Sequence, residues 1–251
     1  MPPESSSQRP EHPGAPAFPA TRWTLVGRLH GTEAEAARAL DDLCRHYWFP
    51  IYATLRSGGR TTHDAEDLTQ GFFAALMADR ALLAAEPGRG RLRSFLLGAL
   101  KRFVADETRH RLAQKRGGGA VVLSIEWGRA EQRFLAEPVD RRDPEKIYLS
   151  TWAHSLLDRV REKVRAGFAG RETAYAALAP FIEGEESGIP FRELGERLGQ
   201  SESGARVTVF RLRQRFRELL TEAVRQTVET PAELEEELVW VLGVLRDRQG
   251  A

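Results

Sequence analysis

The 251-residue chain holds one cysteine, Cys44, and two methionines. A single cysteine excludes a disulfide framework and any zinc site built on several thiolates. No apolar run approaches the roughly 20 residues that a membrane helix needs, so no transmembrane segment is expected. The first residues carry no basic stretch followed by an apolar one and are read as lacking a secretory signal. Charge of one sign is missing too: 37 Lys+Arg stand against 36 Asp+Glu, a formal net charge of +1. With no overall field pointing to a partner, only segregation of the two signs along the chain carries information. These absences predict a cytoplasmic chain that meets no membrane and takes no metal or other cofactor.

What is present is 41% hydrophobic and 29% charged residues, a globular composition suited to helices with wet faces. The opening stretch to about Ala20 is crowded with Pro2, Pro3, Pro10, Pro13, Pro16 and Pro19 and cannot bury enough apolar surface to offset its ordering entropy, so it is read as disordered. From Thr21 apolar residues recur at three- and four-residue spacing. Helices are expected over 34–46, 47–56, 62–83 and 95–113. The Gly117-Gly118-Gly119 run closes this block, and an irregular connector follows to about Arg142, with Val121–Ile125 as a short extended piece. Asp143-Pro144 then offers an N-cap with proline at the first helical position, opening a helix to about Gly170. Further helices are expected over 171–183, in a helix–turn–helix over 191–220, and from Thr230-Pro231-Ala232-Glu233, which fits a capping box. No sustained alternation marks a strand. The expected fold is all-α: a disordered tail (1–20), one small helical domain (21–116), a linker (117–142), a second helical domain (143–222) and an acidic helical extension (223–251).

The charges are segregated. From Arg89 to Arg116 there are nine Lys and Arg against Asp106 and Glu107 alone, and from Arg206 to Arg217 five arginines and no carboxylate. Charge runs by themselves usually mean solvated helix faces, but two separate basic helices in a neutral chain point to polyanion binding. Within 191–220, Phe191, Leu194 and Leu198 share a face, Gly199-Gln200 makes the turn, and Ser201 caps the second helix. Ala205, Val209, Leu212, Phe216 and Leu219 form that helix's apolar stripe. Its opposite face carries Ser203, Arg206, Val207, Phe210, Arg211, Gln214 and Arg217, a pattern suited to a helix entering a major groove. Upstream, Phe95, Arg102 and Arg109 recur every seven residues behind the cationic loop Pro87–Arg93, an arrangement able to accept an unstacked base and its phosphates. Phe95 taken alone reads better as a core residue.

These motifs, in this order, resemble the bacterial RNA polymerase sigma factors of the extracytoplasmic-function class, over about Thr21 to Leu220, in a form with a C-terminal extension. Asp64-Ala65-Glu66-Asp67-Leu68-Thr69-Gln70-Gly71-Phe72-Phe73 is similar to the family's core-polymerase-binding helix. The resemblance implies that Asp64, Glu66, Asp67, Gln70 and Phe73 face the clamp helices of the polymerase's largest subunit. It implies that Arg89, Arg91 and Arg93 lie in the loop that holds a flipped base. Phe95, Lys101, Arg102, Arg109 and Arg111 would then meet the minus-ten strand. Ser203, Arg206, Val207, Phe210 and Arg211 would contact the minus-thirty-five duplex, while the connector passes near the polymerase cleft and RNA exit path. The implied partners are core polymerase at its clamp and flap, promoter DNA as duplex and single strand, and in some members an anti-sigma protein. Phe95, Arg102 and Val207 depart from the family's usual Trp, Asn and small polar residue, which bears on the promoter sequence read.

An enzyme is not expected. Asp64, Glu66, Asp67, Asp106 and Glu107 suggest at most a nuclease-like carboxylate cluster, but Asp64 and Asp67 open a helix, where acids complement the dipole without a metal. The alternative to a sigma factor is a helix-turn-helix regulator that never joins polymerase. The last helix leaves two readings open. Its stripe of Leu234, Leu238, Val241, Leu242 and Leu245 packs on the chain's own C-terminal domain, or its carboxylates lie against the arginines of one DNA-binding surface.

Overall fold

The computed structural model describes residues 23–78, 90–113, 127–136, 143–182 and 188–249. Every regular element among them is helical, as the periodicity predicts. The elements are α1 (Trp23–Arg28), α2 (Glu33–Ser57), α3 (Thr62–Ala78), α4 (Leu92–Ala113), a 3-10 turn at Trp127–Arg129, α5 (Ala130–Ala136) and α6 (Pro144–Ala166). They continue with α7 (Glu172–Leu178) and its 3-10 continuation Ala179–Phe181, α8 (Phe191–Leu198), α9 (Glu202–Arg225) and α10 (Pro231–Gln249). The expected tail 1–20, the Gly117–Gly119 run and the extended piece 121–125 lie outside the described residues.

Helix starts follow their capping residues. Asp143 Oδ1 accepts from the backbone N–H groups of Glu145 and Lys146 at 3.0 and 3.3 Å, with Pro144 behind it. Thr230 Oγ1 accepts from Glu233 N–H at 3.2 Å, and the Glu233 carboxylate accepts in return from Glu229 and Thr230 N–H. A second capping box, Thr32 with Glu35, opens α2. Each cap satisfies donors that the first helical turn leaves without partners.

The largest correction to local structure concerns α2. The expected division at His46 and Tyr47 is absent, and one helix of 25 residues runs through Pro50. Proline removes one intrahelical donor, a local cost that burial on several sides outweighs. Leu43, Tyr47, Phe49, Ile51, Tyr52 and Ala53 are all almost completely enclosed. The helix they make packs most extensively on α6, whose Ile147, Tyr148, Trp152, Leu156 and Leu157 are equally enclosed. With α3 against α2 and α9 and α10 against α6, the two expected helical halves share one continuous core.

The connector expected to be irregular contains the Trp127 turn and α5, both docked on α2. Trp127 lies edge-on to Trp48 with ring centres 5.7 Å apart, and Ala130 and Phe134 are buried. Glu131 accepts from Arg56 Nε and Nη2 at 2.8 and 2.6 Å and from the Tyr52 hydroxyl at 2.7 Å. The Arg56 hydrogen bonds hold the Glu131 carboxyl down at about 2, while burial and Glu131 push the Tyr52 hydroxyl up to about 12. A depressed carboxyl stabilises the fold fully above its unfolded value of roughly 4.3 and loses that contribution as the pH falls toward 2. We therefore expect Glu131→Gln to cost about 1–2 kcal/mol at pH 7, after allowance for solvent screening. The difference from the unsubstituted chain should shrink between pH 4.5 and 2 in urea unfolding; a difference independent of pH would contradict the assignment.

Candidate nucleic-acid interface

The α8–turn–α9 unit is built by backbone as much as by side chains. Gly199 ends α8 in the left-handed region, at φ +64°, where a side chain is strained. Gly195 has a different reason: a Cβ there would lie 2.7 Å from the Gln200 carbonyl oxygen, so only glycine lets the turn close onto α8. Ser201 Oγ then accepts from Gly204 N–H at 3.2 Å and opens α9. Ala205, Val209, Leu212 and Phe216 are buried and Leu219 is half-buried, as the stripe predicts.

The seven residues expected on the opposite face are all exposed. They span an arc of roughly 140° at 100° per residue. Phe210 and Val207 are 64% and 49% exposed, among the largest exposed apolar side chains described. Arg206 pairs with Glu202 at 2.8 Å, and its guanidinium lies 4.4 Å from the Phe191 ring centre, so it is held over α8. Ser203 Oγ lies 3.0 Å from Ser201 Oγ. Arg211 and Arg217 make no ion pair among the described residues and are available to a ligand. Arg213 serves the fold instead, donating to the Phe181 carbonyl oxygen at 2.8 Å.

On α3 the outward arc carries Asp64, Glu66, Asp67 and Gln70, with Asp64 accepting from the Thr61 hydroxyl at 2.8 Å and Asp67 3.6 Å from His63. Phe73 departs from the expectation. It is fully enclosed, edge-on to Phe72 with ring centres 5.6 Å apart, and presents nothing to a partner. Its apolar ring gains more from the core than the wet arc could return.

On α4, Lys101, Arg102 and Arg109 lie on the exposed side, Lys101 pairing with Glu145 of α6 at 2.6 Å and Arg109 with Asp106. Phe95 is half-buried against the core. Arg111 belongs to the helix, and Arg89 lies outside the described residues.

Arg91 and Arg93, expected in an open cationic loop, are placed elsewhere. The helix begins at Leu92, three residues before its expected start, and Arg93 is 5% exposed. Its Nε and Nη2 donate to the two carboxylate oxygens of Glu237 at 2.5 and 2.9 Å, and the guanidinium lies 4.4 Å from the Trp240 ring centre and 5.3 Å from that of Trp152. Arg91 donates to Glu236 at 2.6 Å and to Glu237 at 3.0 Å. Leu92 N–H adds a bond to the Thr227 carbonyl oxygen. The acidic stretch of α10 was visible in the sequence, but its register on these arginines was not. The α10 seam is also turned from the expected stripe: Glu237 and Val241 are buried at its centre, Leu234, Leu238, Trp240 and Val244 flank them, and Leu242 is 40% exposed.

Among the described residues no three His, Cys, Asp or Glu side chains gather where a metal ion would sit, so Asp64, Glu66, Asp67, Asp106 and Glu107 form no joint site. Burial pushes the Cys44 thiol up to about 12, leaving no thiolate at neutral pH. No helix among the described residues is long and apolar enough to cross a membrane. Comparison of the chain with protein-family models, with curated proteins and with solved structures finds no match.

Proposed function

We propose that the chain is an alternative sigma factor of the extracytoplasmic-function type, acting in the cytoplasm. It joins core RNA polymerase, reads a two-element promoter and helps to open it. The observation that carries the reading is the exposed face of α9, where Arg206, Val207, Phe210 and Arg211 stand on a rigid helix–turn–helix and Arg211 is free of ion pairs among the described residues. The wet acidic arc of α3 and the basic outer side of α4 precede it in the chain order of the resemblance. Polymerase supplies the catalysis; the chain supplies DNA contacts and no cofactor. An anti-sigma protein would find its targets on these same faces.

Run-off transcription with purified core polymerase on a pool of promoter fragments tests the proposal directly, and a specific transcript dependent on the chain is expected. Reversing Asp64 and Asp67 together to lysine should abolish co-purification with core polymerase while leaving duplex binding by the chain intact. Duplex binding with no affinity for core polymerase in the unsubstituted chain would instead establish a helix-turn-helix regulator that works without polymerase.

A further inference from the structure

The Arg91–Arg93–Glu236–Glu237 cluster joins two parts of the chain 145 residues apart in sequence at one end of α4. Its members have unequal access to water. The Arg93 and Glu237 side chains are 6% and 0% exposed, whereas those of Arg91 and Glu236 are 28% and 70% exposed. A phosphate arriving from solvent therefore meets the Arg91–Glu236 pair first. Glu233 belongs to the same edge, its carboxylate 3.7 Å from where a Cβ on Gly90 would stand. Carboxylates at 233, 236 and 237 repeat at three- and four-residue spacing along one helix face, a row of anions set against the cationic start of α4.

The hold of α10 on the body is selective rather than strong. Among the described side chains of its apolar seam only Val241 is completely buried, Leu234, Leu238, Trp240 and Val244 being half-buried. A buried guanidinium–carboxylate pair returns little more than its desolvation cost, but it fixes which groups meet. Arg93 stacked against Trp240 and Trp152 supplies that registration. A helix docked by a thin seam and a charge cluster is one that a competing polyanion, or a partner gripping α10, can lift.

We infer that α10 is an autoinhibitory strap: Glu236 and Glu237 occupy Arg91 and Arg93 in the place of the phosphates of single-stranded nucleic acid, which gains that end of α4 only when α10 lifts. The inference rests on the proposed nucleic-acid role of α4. Releasing the strap exposes two cations while leaving Lys101, Arg102 and Arg109 as they were. It also explains how a chain with two basic helices limits nonspecific binding.

The test is fluorescence anisotropy with a labelled single-stranded deoxyoligonucleotide and the full chain, unsubstituted and as E236Q, E236Q/E237Q and R91A/E236Q. Circular dichroism and thermal melting serve as controls of folding. Because Glu236 is mostly exposed, E236Q is expected to fold even if the double variant does not. E236Q should bind roughly two- to fivefold more tightly at low salt, and the double variant about tenfold or more. The salt dependence should steepen by about 0.7 in the log–log slope for each arginine released to the strand. The gain should vanish in R91A/E236Q. If all four chains bind with equal affinity, the strap is refuted while the nucleic-acid role of α4 stands. If none binds at any salt, that role falls and the strap with it.

Discussion

Replacing Trp152 with alanine is expected to lower the free energy of unfolding by about 3–5 kcal/mol. Trp152 is among the largest fully buried side chains and sits on α6, the helix that carries both α2 and α10. Its removal leaves a cavity where helices from both halves of the chain meet, and it strips one ring from the buried Arg93 guanidinium. The indole N–H makes no hydrogen bond among the described residues, so the loss is one of packing and of ring–cation contact rather than of a polar bond. Trp240 provides the comparison. It stacks on the same guanidinium but is only half-buried at the edge of α10, and W240A is expected to cost about 1–2 kcal/mol. Urea unfolding of both variants checks the order; equal midpoints would show that the two halves do not depend on a joint core at α6.

The second large effect is expected on α9, in binding rather than in stability. Arg211→Ala should weaken duplex binding by about 1–3 kcal/mol if its guanidinium makes a bidentate base contact, with relaxed preference at one base pair. Arg211 is exposed and makes no ion pair among the described residues, so the fold should be unchanged. Arg206→Ala differs in kind, since it also removes the pair with Glu202 and the stacking on Phe191 that ties α9 to α8. A selected-site binding experiment separates the outcomes. Weakening that is uniform across sequences, with a shallower salt slope, would reassign Arg211 to phosphate contact; no change at all would remove α9's face from the interface.

Helix type and most helix boundaries were legible because their causes are local. Asp143-Pro144, the Thr230–Glu233 box, Ser201 and Gly199 act within a turn of where they stand, and each one marks the boundary expected of it. The exposed and buried faces of α9 follow from a period of 3.6 residues and need no knowledge of neighbours. The division expected between His46 and Tyr47 failed for a non-local reason: burial of Tyr47, Phe49, Ile51 and Tyr52 in the core shared with α6 carries one helix through that point and through Pro50. Phe73 misled too, a motif residue on paper and a core residue once α3 packs.

The sequence by itself determined the all-α architecture of the described residues, the position of the helix–turn–helix, the outward arginines of α9 and the acidic arc of α3. It did so because periodicity, caps and turns are encoded within a few residues of the structure they produce. Only the tertiary structure decided that Arg91 and Arg93 are clasped rather than open. It also decided that the connector's α5 docks through Glu131 and that the two expected domains share a core. Each of these depends on which distant side chains meet, Arg93 with Glu237 or Arg56 with Glu131. A charge pattern states that such partners exist, but the register that joins them is chosen by the burial of the apolar seams around them.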